Sequence, residues 1–162
     1  HGMIHFEDLA IGTKERFGRY EVTREEVVEF AGKYDPHPFH LSDEAAAATH
    51  FGRISASGWH TCSMTMAMFI EHIHDTPHAS HGGVGIDELR WLKPVYPGDV
   101  LSLETEILNK RRSRSRPGLG SVWTRMITYN QDGVAVLSMI AIGLYAVRDP
   151  GTPDDETANR KG

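Results

Sequence analysis

The segment Tyr34-Asp35-Pro36-His37-Pro38-Phe39-His40 sets one carboxylate five residues ahead of one imidazole, with two prolines between them. Each proline fixes its own φ and turns the residue before it away from the α region. The segment is therefore a stiff, non-helical connection that can hold Asp35 and His40 in a reproducible geometry. A carboxylate and an imidazole held in that way suit proton transfer at neutral pH. Surface loops are also polar simply because water surrounds them, so the pair has to be weighed with its flanks.

A helix is expected on each side of this segment. Thr23-Arg24-Glu25-Glu26 has the form of a capping box, with Thr23 as N-cap and Glu26 reaching back to it. Val27, Val28, Phe30 and Ala31 supply an apolar stripe, so a short helix is predicted over Thr23–Lys33, ending before Pro36. Ser42 is the expected N-cap of a second short helix, with Asp43 and Glu44 where a first turn favours negative charge. A glycine-bearing connection, Phe51 to Trp59, leads to a long helix predicted from Gly58 to about His74. Its expected core face is Trp59, Cys62, Met66, Phe69 and Ile73. Met64, Ala67 and Met68 leave little polar surface opposite, as in a helix buried on most sides. The methionines there are read as core packing rather than a cofactor box.

Past residue 82 the hydrophobic period changes to two. Leu101, Leu103, Thr105 and Ile107 alternate with Ser102, Glu104 and Glu106, the pattern of a half-buried strand. Further strands are predicted at Glu15–Val22, Gly85–Lys93, Ser121–Tyr129 and Val134–Val147, with turns at Pro97-Gly98-Asp99 and Asn130–Gly133. The continuously apolar last strand reads as covered on both faces. The fold class is α+β: an antiparallel sheet wrapped around one long helix. One helix cannot cover so wide a sheet, so pairing of an open edge with a second copy is expected.

With 162 residues the chain suits one domain, long enough to bury about 70% of the surface its unfolded chain exposes. The expected division is a cloning remnant at 1–3, one domain over 4–148 and a frayed polar tail over 149–162. A net charge of −5 argues against a general nucleic-acid-binding surface. The single cysteine, Cys62, cannot form an internal disulfide. No signal peptide or membrane-spanning run stands out, so the expectation is a cytoplasmic protein without nucleic-acid or membrane partners.

Two further clusters bear on chemistry. His72, His74, His78 and His81, with Asp75 among them, could bind a metal, but their spacing matches no known ligand pattern and the expectation is none. Lys110-Arg111-Arg112-Ser113-Arg114-Ser115-Arg116 is a basic run between two strands. It is read either as a solvated hairpin or as a means of attracting phosphates, with Arg112 and Arg114 as the candidate contacts.

The segment Phe30–His40 resembles the signature of the MaoC-like hydratases, the (R)-specific enoyl-CoA hydratase group, whose pattern is Asp-x-Asn-Pro-x-His. The likeness extends to Phe51-Gly52, to Ser57-Gly58 and to Leu92-Lys93-Pro94-Val95-Tyr96-Pro97-Gly98-Asp99, and runs in order from Phe6 to Tyr145. The departures are His37, where the family has Asn, and Ser57, where many members have His. The resemblance implies a hot-dog fold, a homodimer or higher oligomer, and an acyl-CoA thioester substrate, with no resident cofactor. It further implies Asp35 and His40 as the acid–base pair and Gly58 as the backbone donor to the developing enolate oxygen, with Ser57 and His37 beside them. Glycine at that position lets a thioester approach closely. The rivals are a thioesterase of the same fold, with Glu71 or Asp75 as its carboxylate, and a non-catalytic acyl-CoA-binding protein.

Overall fold

The computed structural model describes residues 2–151. His1 and most of the expected tail lie outside the described residues. Five strands form one antiparallel sheet: β1 (Lys14–Glu21), β2 (Ser80–Trp91), β3 (Val100–Arg112), β4 (Leu119–Tyr129) and β5 (Ala135–Ala146), in the order β1-β3-β4-β5-β2. Three helices, α1 (Arg24–Tyr34), α2 (Asp43–Ala47) and α3 (Gly58–Asp75), lie between β1 and β2 in the chain. All three begin as predicted, two of them with the predicted cap. The Thr23 hydroxyl accepts from the Glu26 N–H at 3.2 Å, and Ser42 Oγ accepts from the Ala45 N–H at 3.3 Å. The other half of the expected capping box is replaced: the Glu26 carboxylate accepts from the Tyr20 hydroxyl and pairs with His60.

The sheet wraps α3. Met64 and Met68 of the helix pack into one core with Leu101 and Leu103 of β3, Met126 of β4, and Leu137 and Met139 of β5. Gly18 permits that closeness in β1. It takes a φ of +88°, and a Cβ there would lie 2.8 Å from the Met68 sulfur. The helix face differs in part from the expected one: Ile73 is buried and Cys62 and Phe69 pack against the core as expected, but the face is turned toward other residues. The buried residues are His60, Thr61, Met64, Thr65, Met68 and Ile73, whereas Trp59 and Met66 are exposed. Because α3 is apolar nearly all round, periodicity alone cannot choose its inner face. A buried hydrogen bond helps to fix the choice, since Thr65 Oγ1 lies 2.6 Å from Thr128 Oγ1 of β4.

The last strand runs as predicted, although much of its length is only half-buried. Strand β2 begins at Ser80 rather than at Gly85. Its glycine-rich start continues the ladder through two register shifts, with Ser80 opposite Tyr145 and Gly85 opposite Ile142. It is an edge strand, and every residue in it except Leu89 is exposed. Among the described residues no helix is long and apolar enough to cross a membrane.

Candidate active site

Asp35 is the C-cap of α1, and the two prolines behind it prevent the helix from continuing. Pro38 then opens a 3-10 turn, Pro38–His40, that carries His40 inward until it is 5% exposed. Two bonds set the pair. His40 Nδ1 lies 2.7 Å from the Ser55 carbonyl oxygen, which can only accept, so Nδ1 carries the proton. The opposite nitrogen, Nε2, therefore faces Asp35 Oδ2 at 3.5 Å with a lone pair when the ring is neutral. Asp35 is held in turn by Ser57, whose buried hydroxyl donates to Oδ2 at 2.7 Å. A gap of 3.5 Å is too long for a strong direct hydrogen bond.

The segment that supplies these partners is itself fixed. Ile54 donates its N–H to Asp43 Oδ1 at 3.0 Å, and Ala56 donates to the Val95 carbonyl at 2.7 Å. Asp43 Oδ2 also meets Arg24 of α1 at 2.7 Å. The two helices flanking the Pro-rich turn are thus tied to the strip that anchors His40. Buried Ser57 is the N-cap of α3, and Gly58 is its first helical residue. As the first helical residue Gly58 has no intrahelical acceptor for its N–H, which stands at the positive end of an 18-residue helix.

Asp35, His40 and Gly58 line one cavity of about 520 Å³. Its walls include Phe51, Ala56, Trp59, Thr61, Trp91 and Val95, and His50 and Lys93 add the remaining basic side chains. Sequence reasoning missed Trp91, His50 and Lys93. Trp91 and Lys93 lie on one segment and His50 on another, and no local motif joins either to Asp35. Phe39 stacks on His37 and Phe51, and Met68 belongs to the core, in keeping with the reading of the helix methionines.

The other expected site residues fall differently. His37 is exposed, with Nε2 3.8 Å from Asp35 Oδ1. Arg112 lies 3.6 Å from Glu7 and donates to the Asp149 carbonyl at 3.0 Å, tying the N-terminal segment to the chain after β5. Arg114 lies with Arg111 and Ser115 around a separate cavity of about 460 Å³. The register sets that hairpin apart from Asp35. Gly120 pairs with Tyr145 and Ser80 with Tyr145 at one end of the sheet, while Trp91 pairs with Leu137 at the other. The histidine cluster disperses as well. His72 stacks on Phe17 at 3.7 Å and meets Glu15, whereas His78 Nδ1 lies 2.6 Å from the Tyr145 hydroxyl. Among the described residues no three His, Cys, Asp or Glu side chains gather as a metal site.

A second buried histidine was not foreseen. His60 Nε2 lies 3.1 Å from Glu26 Oε1, and its ring stacks on Phe30 at 4.6 Å. Burial pushes the His60 pKa below the ordinary imidazole value, against the pull of Glu26. The Tyr20 hydroxyl, donating to the same carboxylate at 2.6 Å, holds Glu26 below the usual range, and His60 adds to that effect. Burial and the Glu26 charge push Tyr20 up to about 12.

Comparison with known proteins agrees with this architecture. Residues 7–129 match the family model described as MaoC like domain. The crystal structure of a MaoC-like dehydratase from Rhodospirillum rubrum is 37% identical, with a TM-score of 0.81 over 90% of this chain and 99% of that one. A 3-hydroxybutyryl-CoA dehydratase from Methylorubrum extorquens is 33% identical over 118 residues, 70% of this chain and 71% of the relative. The uncharacterized protein YdeM of Bacillus subtilis is 31% identical over 135 residues, 82% of this chain and 92% of the relative. The five-stranded sheet wrapped around α3 is the hot-dog fold, and the chain belongs to the MaoC-like dehydratase family.

Proposed function

We propose that the protein adds water to the double bond of a 2-enoyl-CoA thioester, or removes it from the (R)-3-hydroxyacyl form, with Asp35 and His40 as the acid–base pair. As a MaoC-like family member the chain is a hydro-lyase. The thioester substrate is supported by the relative named 3-hydroxybutyryl-CoA dehydratase. One observation carries the reading: a buried imidazole whose Nε2 lone pair faces a serine-held carboxylate across 3.5 Å, beside a cavity that reaches a helix N-terminus.

In the hydration direction a water gives one hydrogen bond to His40 Nε2 and the other to Asp35. As its oxygen bonds to C3 of the enoyl group, His40 takes a proton and the C2–C3 π electrons move toward the thioester carbonyl. The Gly58 N–H meets the negative oxygen that forms. The imidazolium then returns a proton to C2, so one water has been added and both residues are restored. Asp35 balances the charge on the ring during this step. The step needs no metal or redox group.

We further propose at least a homodimer, paired through β2. The edge strand leaves Val84 60% and Ile86 46% exposed, more apolar surface than a lone edge tolerates. Antiparallel pairing of two β2 edges turns the Ser80 end of one copy toward the Trp91 end of the other. In that arrangement Arg114 serves the CoA phosphates of the partner's site, not its own.

The test is turnover of trans-2-enoyl-CoAs of increasing length, read as loss of enoyl absorbance with a thiol reagent in parallel. Enoyl loss without thiol release is expected, reduced at least 100-fold in Asp35→Asn and His40→Ala. Thiol release would instead identify a thioesterase. Binding of acyl-CoA without turnover, unchanged in Asp35→Asn, would identify a binding protein.

A further inference from the structure

We infer that Trp91 is the specificity-determining wall of the cavity, the residue that limits the length of the acyl chain beside Asp35 and His40. The inference rests on the hydratase reading of that cavity. Trp91 is the last residue of β2, and three independent features hold it in place.

The first is the path of the strand. Asp87 pairs with Ile140 and Arg90 with Ser138, so β2 carries one more residue than β5 between these pairs. Glu88 sits within this bulge with a φ of 51°, a left-handed conformation that a non-glycine residue adopts only under constraint. One extra residue reverses the alternation beyond it. Ile86 stands opposite Ala141, on the core face; without the bulge, Arg90 would share that face and Trp91 would point away. With it, Trp91 stands opposite the fully buried Leu137 and turns toward α3.

The second feature is a hydrogen bond, since the indole Nε1–H donates to the Gly58 carbonyl at 2.8 Å. The third is the missing side chain at Gly58. A Cβ there would lie 2.6 Å from Trp91 Cε2, so only glycine lets the indole lie flat against the start of α3. Trp59 then rests edge-on against Trp91, with ring centroids 5.2 Å apart.

An indole held in this way cannot swing aside as a lid would. The ring lines the cavity that contains Asp35, and it lies against the residue whose N–H is to receive the thioester oxygen. Trp59, Leu92, Ala56 and Val95 continue the apolar wall around it, which suits an acyl chain. Lys93 and His50 add to the same lining a basic character that suits the polar carrier. A chain that outgrows the apolar part meets a rigid ring.

The experiment compares kcat/KM for crotonyl-CoA and trans-2-octenoyl-CoA in the unaltered protein, Trp91→Phe and Trp91→Leu. Circular dichroism checks that each variant folds. The unaltered protein is expected to favour the four-carbon substrate. Trp91→Leu should move the octenoyl-to-crotonyl ratio up by tenfold or more, the scale on which apolar pockets discriminate chain length. Trp91→Phe, which keeps an aromatic wall, should move it less, and it supplies the readout if Trp91→Leu does not fold. An unchanged ratio in a folded variant overturns the inference. So does an equal rise in KM for both substrates, which would assign the indole to the carrier arm. Failure of the unaltered protein to hydrate any enoyl-CoA would instead overturn the hydratase reading, and this inference with it.

Discussion

Ser57 shows how much of a proton-transfer site can depend on a residue that does not exchange protons. Its hydroxyl donates to the same Asp35 oxygen that faces His40, and it is fully buried, so no water can readily replace it. Hydrogen bonds to charged groups contribute about 1.5–3 kcal/mol, which corresponds to roughly 10- to 100-fold in rate if the bond is needed at the transition state. Ser57→Ala should therefore lower kcat by about that factor while leaving KM for an enoyl-CoA nearly unchanged. Steady-state kinetics would check this, and a kcat equal to that of the unaltered enzyme would mean that Asp35 needs no such support. His37 has a weaker hold on the same carboxylate, being exposed and 3.8 Å away.

At the scale of elements, the relation of α1 to α3 decides where Asp35 meets Gly58. Glu26 and Phe30 of α1 both grip His60 in the first turn of α3, and Tyr20 of β1 closes the network. This contact should make stability depend on pH. Because burial lowers the His60 pKa in the folded protein, its contribution is fully present above the ordinary value of about 6.5 and is lost as pH falls through the depressed one. Glu26, lowered from 4.5, adds a loss at still more acid pH. The melting temperature should fall between about pH 7 and pH 5. His60→Leu should melt lower at pH 7 but lose less over that interval, as differential scanning calorimetry would show. Equal slopes in the two proteins would remove His60 as the cause.

For the whole molecule, the unpaired β2 edge and the distant basic hairpin belong together. If the arginines of one copy serve the site of the other, breaking the pairing should also weaken substrate binding. Val84→Lys combined with Ile86→Lys is expected to shift the protein from dimer to monomer in light scattering. The same change should raise KM for enoyl-CoA, as should Arg114→Ala in the intact dimer, and the Arg114→Ala effect should shrink with added salt. A monomeric unaltered protein would refute the pairing, and an unaltered KM in Arg114→Ala at low salt would refute the role given to the hairpin.

The chain by itself determined the parts of this protein that depend on neighbours in sequence. Thr23 and Ser42 mark the helix starts, the prolines around His37 stop α1 and turn His40 inward, and the two-residue period of β3 marks its buried side. The resemblance of Phe30–His40 to the MaoC-like signature pointed to the family and to the Asp35/His40 pair. Tertiary structure alone decided what depends on residues far apart. A helix as apolar as α3 carries no stripe to say which face is inward, so burial against β3, β4 and β5 made the choice. The histidines from His72 to His81 looked like one cluster, but folding gives His72 and His78 separate partners, Glu15 and Tyr145. Arg112 looked like a phosphate ligand until folding brought Glu7 beside it, 105 positions away in number. The bulge at Glu88 leaves no clear mark in its own strand. It appears in the register with β5 and in the left-handed φ of Glu88, and it is what turns Trp91 to the cavity.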